Sequence, residues 1–142
     1  MEQLKELVNV VTKNKAKRID IVGQEDAGDS LILKLYDALA AGNFASDDEA
    51  IAHFYPGHDK PAPNYNRLKR KLRQRLLNTL FFIDVNQTGF NETQKAYYSS
   101  YKEVTAIKIL KGRGATKVAL PLAEKLLSQA LKFEFTDIAV NV

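Results

Sequence analysis

Two four-residue motifs constrain this chain more than any other feature. Ser46-Asp47-Asp48-Glu49 and Asn91-Glu92-Thr93-Gln94 each set a short polar side chain three residues ahead of a Glu or Gln. At that spacing the first side chain accepts from the backbone N–H of the fourth residue. The fourth side chain in turn reaches back toward the first backbone N–H, so two unbonded donors at a helix start are satisfied together. The acidic residues also suit the positive end of the helix dipole. Each motif therefore opens a helix, over about 47–55 and about 91–111.

Apolar spacing extends the pattern. Leu4, Leu7, Val8 and Val11 recur at helical intervals and predict a helix over about 2–12. Asp29 or Ser30 caps a helix to about Ala41, with Leu31, Leu35, Ala38 and Leu39 on its apolar side and Gly42 as its left-handed stop. A long helix is expected from Asn64 to Val85, after the Pro-rich linker 56–63. The last runs from about Thr116 to Lys132, with Pro121 in or near its first turns and Gly112-Arg113-Gly114 ahead of it. Arg18-Ile19-Asp20-Ile21-Val22 alternates like a strand, but a strand without a partner is not stable, so it reads as a helical turn or extended connector. The expected fold class is all-α: antiparallel helix pairs, in an irregular bundle or a tetratricopeptide-like helical repeat. At 142 residues this makes a single helical domain, 1–142. Ala123, Leu127 and Ala130 have the 4-and-3 spacing of a tetratricopeptide second helix, but no strict 34-residue repeat is present.

The run from Leu76 to Gln87, Tyr97-Tyr98, Ile109-Leu110-Lys111-Gly112-Arg113, Leu122-Ala123-Glu124-Lys125 and Ala130 to Phe135 resembles the N-terminal part of uncharacterised bacterial helical-repeat proteins. The resemblance implies a helical scaffold continuing past residue 142. It implies no catalytic residue. The apolar end Thr136-Asp137-Ile138-Ala139-Val140-Asn141-Val142 carries no stop signal, which fits the same expectation of a fragment of a longer protein, with Phe135, Ile138, Val140 and Val142 awaiting a partner surface.

Composition removes several function classes. With no Cys there is no disulfide framework, thiolate zinc site or cysteine nucleophile. His53 and His58, even with Asp47, Asp48 and Asp59, match no standard metal spacing, so no metal and no cofactor is expected. Gly112 to Lys117 follows a helix and lacks the Gly-Lys-Ser/Thr ending of a phosphate loop. No Ser-His-acid arrangement is evident, and the chain is not expected to be an enzyme. The polar start Met1-Glu2-Gln3-Leu4-Lys5-Glu6 is no signal peptide, and Leu80-Phe81-Phe82-Ile83, the longest apolar run, is too short to span a bilayer. A cytoplasmic protein without membrane partners is therefore expected.

Charge is the remaining signal. The net charge of +4 comes from residues 67–75, where Arg67, Lys69, Arg70, Lys71, Arg73 and Arg75 stand without an acid. The rest of the chain carries 15 basic and 17 acidic residues, a net of −2. Residues 20–59 are the opposite pole, with nine acidic residues against Lys34 alone. On a wheel of about 100° per residue, Leu68, Leu72 and Leu76 form a narrow stripe and the six cations cover most of the remainder. Leu76, Leu77, Leu80, Phe81, Phe82 and Ile83 are apolar nearly all round. The first half of this helix should lie on the surface, held by Leu68 and Leu72. The second half should be deeply buried, with Phe81 and Phe82 anchoring the core.

The basic stretch supports two readings. It can solvate a helix and pair with the acidic segment 20–59, or it can be a patch for an anionic partner. The leading functional reading is a non-enzymatic helical scaffold or protein-interaction module, binding a protein partner or a second copy. The alternative is a nucleic-acid-binding module using the basic helix 64–75, with Tyr65 available to stack on a base. Tyr97, Tyr98 and Tyr101, clustered on one helix, are expected to pack between helices with their hydroxyls on polar partners.

Overall fold

A computed structural model describes residues 1–13, 27–86 and 89–142, with the backbone alone at 27–30, and these residues form an all-α protein. The segment 18–22 lies outside the described residues. The elements are α1 (Glu2–Lys13), α2 (Ala27–Ala40), α3 (Asp47–Phe54), α4 (Pro61–Thr79), a 3₁₀ turn (Leu80–Phe82), α5 (Glu92–Gly112), α6 (Thr116–Lys132) and α7 (Thr136–Asn141). They fall into two compact units, Met1–Ile83 and Asp84–Val142.

In the first unit α4 is the common partner, packing against α1, α2 and α3. α1 buries Leu4, Val8 and Val11, as its spacing demands. α2 begins at Ala27, ahead of the Asp29/Ser30 start expected, and buries Ile32, Leu35, Tyr36 and Leu39, with Leu31 and Ala38 only at the margin. The Thr12 and Tyr36 hydroxyls, 2.8 Å apart, join α1 to α2. Gly42, at φ 74°, takes the left-handed position that ends α2, and the Asn43 N–H returns to the Ala38 carbonyl at 2.9 Å. Ser46 caps α3, accepting from the Glu49 N–H at 3.3 Å, while the Glu49 carboxylate reaches one residue further back, to the Ala45 N–H at 2.7 Å.

α4 departs from expectation at both ends. It starts at Pro61 rather than Asn64. Proline suits the first helical position, where no intrahelical N–H bond is lost, so the Pro-rich stretch 56–63 is only partly a linker. It ends at Thr79, and its buried residues are Tyr65, Leu68, Leu72, Leu76 and Thr79. The apolar run beyond them is not the core. Phe81 and Phe82 are 55% and 52% exposed, and Leu77 is exposed too. At about 100° per residue the buried set falls within an arc of about 80°, and Leu77 and Phe81 project from the opposite side. A helix packed on one side buries one stripe, however apolar the sequence around it.

The second unit is an α5–α6 hairpin capped by α7. Asn91 and Gln94 complete a reciprocal capping box, with bonds of 2.8 and 3.1 Å. Gly114, at φ 76°, turns the chain into α6, and Pro121 lies inside that helix. Glu134 takes the same left-handed position at φ 59° between α6 and α7, where a side chain costs about 1 kcal/mol. Val104 and Ile107 of α5 pack with Ala119, Leu126 and Ala130 of α6. The buried Ser100 hydroxyl donates to the Ala96 carbonyl at 2.7 Å and accepts from the Gln129 amide at 3.4 Å. Phe135 and Ile138 complete this core, whereas Val140 is 82% exposed. Of the Ala-Leu-Ala set, Ala130 is buried but Leu127 is exposed, so Leu127 does not fill a helix–helix gap within the unit.

Two substitutions separate the expected from the observed core. Leu72→Ala, at a position with no exposure, should lower stability by about 2–5 kcal/mol, whereas Phe81→Ala should stay within about 1 kcal/mol. Urea unfolding followed by circular dichroism checks both; a larger loss for Phe81→Ala would mean that the run 80–83 is core after all.

Candidate functional site

The exposed side of α4 carries a dense run of cations. Because Tyr65, Leu68, Leu72 and Leu76 hold the inner stripe, the residues between them turn to solvent. Arg67, Arg70, Lys71 and Arg73 are exposed, while Lys69 and Arg75 are half-buried at the margins. From Lys60 to Ile83 the sequence holds no Asp or Glu. The start of α4 has no acidic residue in its first turn and no side-chain cap, so the positive end of its dipole adds to the side-chain charge.

The acidic segment meets this helix at one point. Asp47, in the first turn of α3, accepts from Lys69 Nζ at 2.8 and 3.0 Å and from the Tyr65 hydroxyl at 3.0 Å. The α-amino group of Met1 stands 3.4 Å away. Burial pushes the Asp47 carboxyl up, but the hydrogen bonds from Lys69 and Tyr65, with the charges of Lys69 and the Met1 amine, hold it below the ordinary value of 3.8. The Tyr65 phenol is held above its usual range by burial first and then by its bond to Asp47 and that carboxylate's charge. Tyr65 is wholly buried, so it cannot stack on a base. It is instead the inner anchor of a Lys69–Asp47–Tyr65 node tying α3 to α4.

The two edges of the basic helix differ. On one, Lys69 and Arg73 face Met1, Glu2, Gln3 and Leu4 across a hollow of 280 Å³, so acidic groups border that edge. On the other, a cleft of 350 Å³ is lined by Leu31, Tyr55, Asn64, Arg67, Leu68 and Lys71, with no acid among its described lining residues. The sequence did not point to this cleft, because Tyr55, Leu31 and Asn64 come from three separate elements with no shared motif.

The remaining candidates have structural partners. His53 rests on Phe44 and Phe54, with ring centroids 5.3 and 4.9 Å away, and His58 on Tyr55 at 5.5 Å. No group of three or more His, Cys, Asp or Glu among the described residues could hold a metal ion. In the second unit, Tyr97 and Tyr101 donate their hydroxyls to Asp137 and so pin α7 to α5. The bond from Tyr101, then that from Tyr97, holds the Asp137 carboxyl below its ordinary range. Tyr98 remains exposed against Phe90. The 112–117 segment is a helix stop and restart. A shallow groove of 590 Å³ between α5 and α6 is lined by Lys95, Lys125 and Lys132 among others, with Lys95 paired to Glu92 at 2.8 Å.

Among the described residues no helix is long and apolar enough to cross a membrane. No protein-family model, curated protein or solved structure matches the chain significantly.

The node has a pH signature. Since the folded carboxyl titrates below the unfolded one, its stabilisation is present above the ordinary value of 3.8 and is lost as pH falls through the folded value. Acid unfolding of the wild type should thus steepen below about pH 4, and Asp47→Asn should lower stability at pH 7 and flatten that acid limb. An unchanged acid limb in Asp47→Asn would exclude the node as a contributor.

Proposed function

We propose that this chain is a non-enzymatic helical interaction module that docks an anionic partner on the outward side of α4. One observation carries the reading: Arg67, Arg70, Lys71 and Arg73 are exposed together on a helix whose other side is fixed in the core. Had the basic run served only to balance segment 20–59, its cations would be expected to face acids. Among the described acids, Asp47 pairs with Lys69, and Glu49 is turned to the Ala45 backbone. Four cations on one helix, with no ion-pair partner among the described residues, focus a positive potential and attract a counter-charged macromolecule, most strongly at low salt. The resemblance to helical-repeat scaffolds and the aromatic packing of both His side chains favour a binding role over catalysis.

An acidic protein surface, including that of a second copy of this chain, is one partner that such a potential would attract. A nucleic acid is the other, favoured by the cleft beside Arg67 and Lys71, which has no acid among its described lining residues. Titration of the full chain with fluorescent poly-glutamate and with heparin, at low and moderate salt, tests the surface itself. Binding should appear at low salt, weaken as salt rises, and drop at least about tenfold in an Arg67→Glu/Arg70→Glu variant. No binding at low salt, or binding indifferent to the variant, would refute the reading.

A further inference from the structure

The outward side of α4 carries more than charge. Taking the buried stripe as the inner side, Asn66, Arg70 and Gln74 succeed one another along the outer side at intervals of four residues, with Arg67 and Arg73 flanking them. Asn66, Arg70 and Gln74 are all exposed. Their planar amide and guanidinium groups can make paired hydrogen bonds to base edges, Arg to guanine and Asn or Gln to adenine. The stripe from Asn66 to Gln74 is about 12 Å long at 1.5 Å per residue, the rise of about three to four base pairs. An α-helix about 10–12 Å across fits the major groove of a DNA duplex.

The surroundings of the stripe are ordered in the same sense. α3, a six-residue turn containing Gly57 at φ 70°, and the longer α4 follow the order of parts in helix-turn-helix readers, with a longer turn. In such readers the second helix enters the groove. Here the cations occupy the middle of α4, from Arg67 to Arg75, and the exposed Leu77 and Phe81 fall at its far end. The cleft on the α2 and α3 side is lined by Tyr55, Asn64, Arg67 and Lys71, with no acid among its described lining residues. All four can donate to phosphate oxygens, and the hollow runs alongside the helix, where a backbone would pass. Glu2 borders the opposite edge, where Asp47 neutralises Lys69.

Resting on the anionic-partner reading above, we infer that the partner is duplex DNA, with α4 in the major groove and the Tyr55–Asn64–Arg67–Lys71 cleft on the phosphate backbone. Asn66, Arg70 and Gln74 contact bases. Arg67 and Lys71 contact phosphates.

The test compares affinities of the full chain for a mixed-sequence 20-base-pair duplex, the matching single strand, heparin and poly-glutamate across a salt series. The duplex should bind at least about tenfold tighter than the single strand or poly-glutamate. Lys71→Gln should weaken duplex binding across all sequences and flatten the slope of log affinity against log salt by about one. Asn66→Ala/Gln74→Ala leaves the charge unchanged and should narrow the affinity differences between duplex sequences recovered from a random pool, leaving heparin binding intact. Duplex binding no tighter than that of single strand or poly-glutamate, with α4-dependent heparin binding retained, would overturn the DNA inference and leave the anionic-partner reading in place. Sequence preference unaltered in Asn66→Ala/Gln74→Ala would overturn the placement of α4 in the groove. Loss of all polyanion binding in the wild type would remove both.

Discussion

The first unit depends on a stripe of five side chains on α4. Tyr65, Leu68, Leu72, Leu76 and Thr79 face inward, and α1, α2 and α3 each lie against the helix that carries them. Leu4, Val8 and Val11, and Ile32, Leu35 and Leu39, are the complementary stripes from α1 and α2. Burying those leucines and the tyrosine supplies a large part of the apolar driving force, and it fixes the rotation of α4 about its own axis. Everything about the functional surface follows from that rotation. Once the inner arc is taken, the cations at 67, 70, 71 and 73 have nowhere to go but solvent, since a buried unpaired charge is far too costly.

The acidic segment then makes the surface directional. Asp47 has two duties, lying in the first turn of α3 and accepting from Lys69 and Tyr65. That pairing neutralises the edge of α4 that carries Lys69. The opposite edge, with Arg67 and Lys71, lies beside a cleft with no acid among its described lining residues. A helix basic all round in sequence thus presents a neutralised edge, a cationic outer side and an open cationic edge.

The helix content was legible because caps and periodicity are local. The boxes at Ser46 and Asn91, the glycine stops at 42 and 114, and the 116–132 span needed nothing beyond neighbouring residues. The errors lie where burial depends on what packs alongside. Phe81 and Phe82 read as core by composition, yet they project from the side that α1 to α3 do not cover. Tyr65 read as a base-stacking ring, but its position belongs to the inner stripe. Leu68 and Leu72 were recognisable as anchors, whereas Tyr65 and Thr79, on the same stripe of the wheel, carry hydroxyls and gave no apolar signal. Of the candidate site, the exposed cations were readable from the wheel. The Asp47 partnership and the Tyr55–Asn64 cleft were not, because they join residues from separate elements. The left-handed turn at Glu134 carries no glycine and left no local trace.

The central claim is that α4 faces two ways, its inner stripe holding the fold and its outer side holding an anionic partner. Backbone and side-chain NMR shifts of the full chain during titration with a short DNA duplex test it most directly. The account predicts changes concentrated at Asn66, Arg67, Arg70, Lys71 and Gln74, with Leu72 and Leu76 methyl signals essentially still. Changes centred on the Lys95, Lys125 and Lys132 groove of the second unit, or spread evenly over all surface lysines, would contradict it.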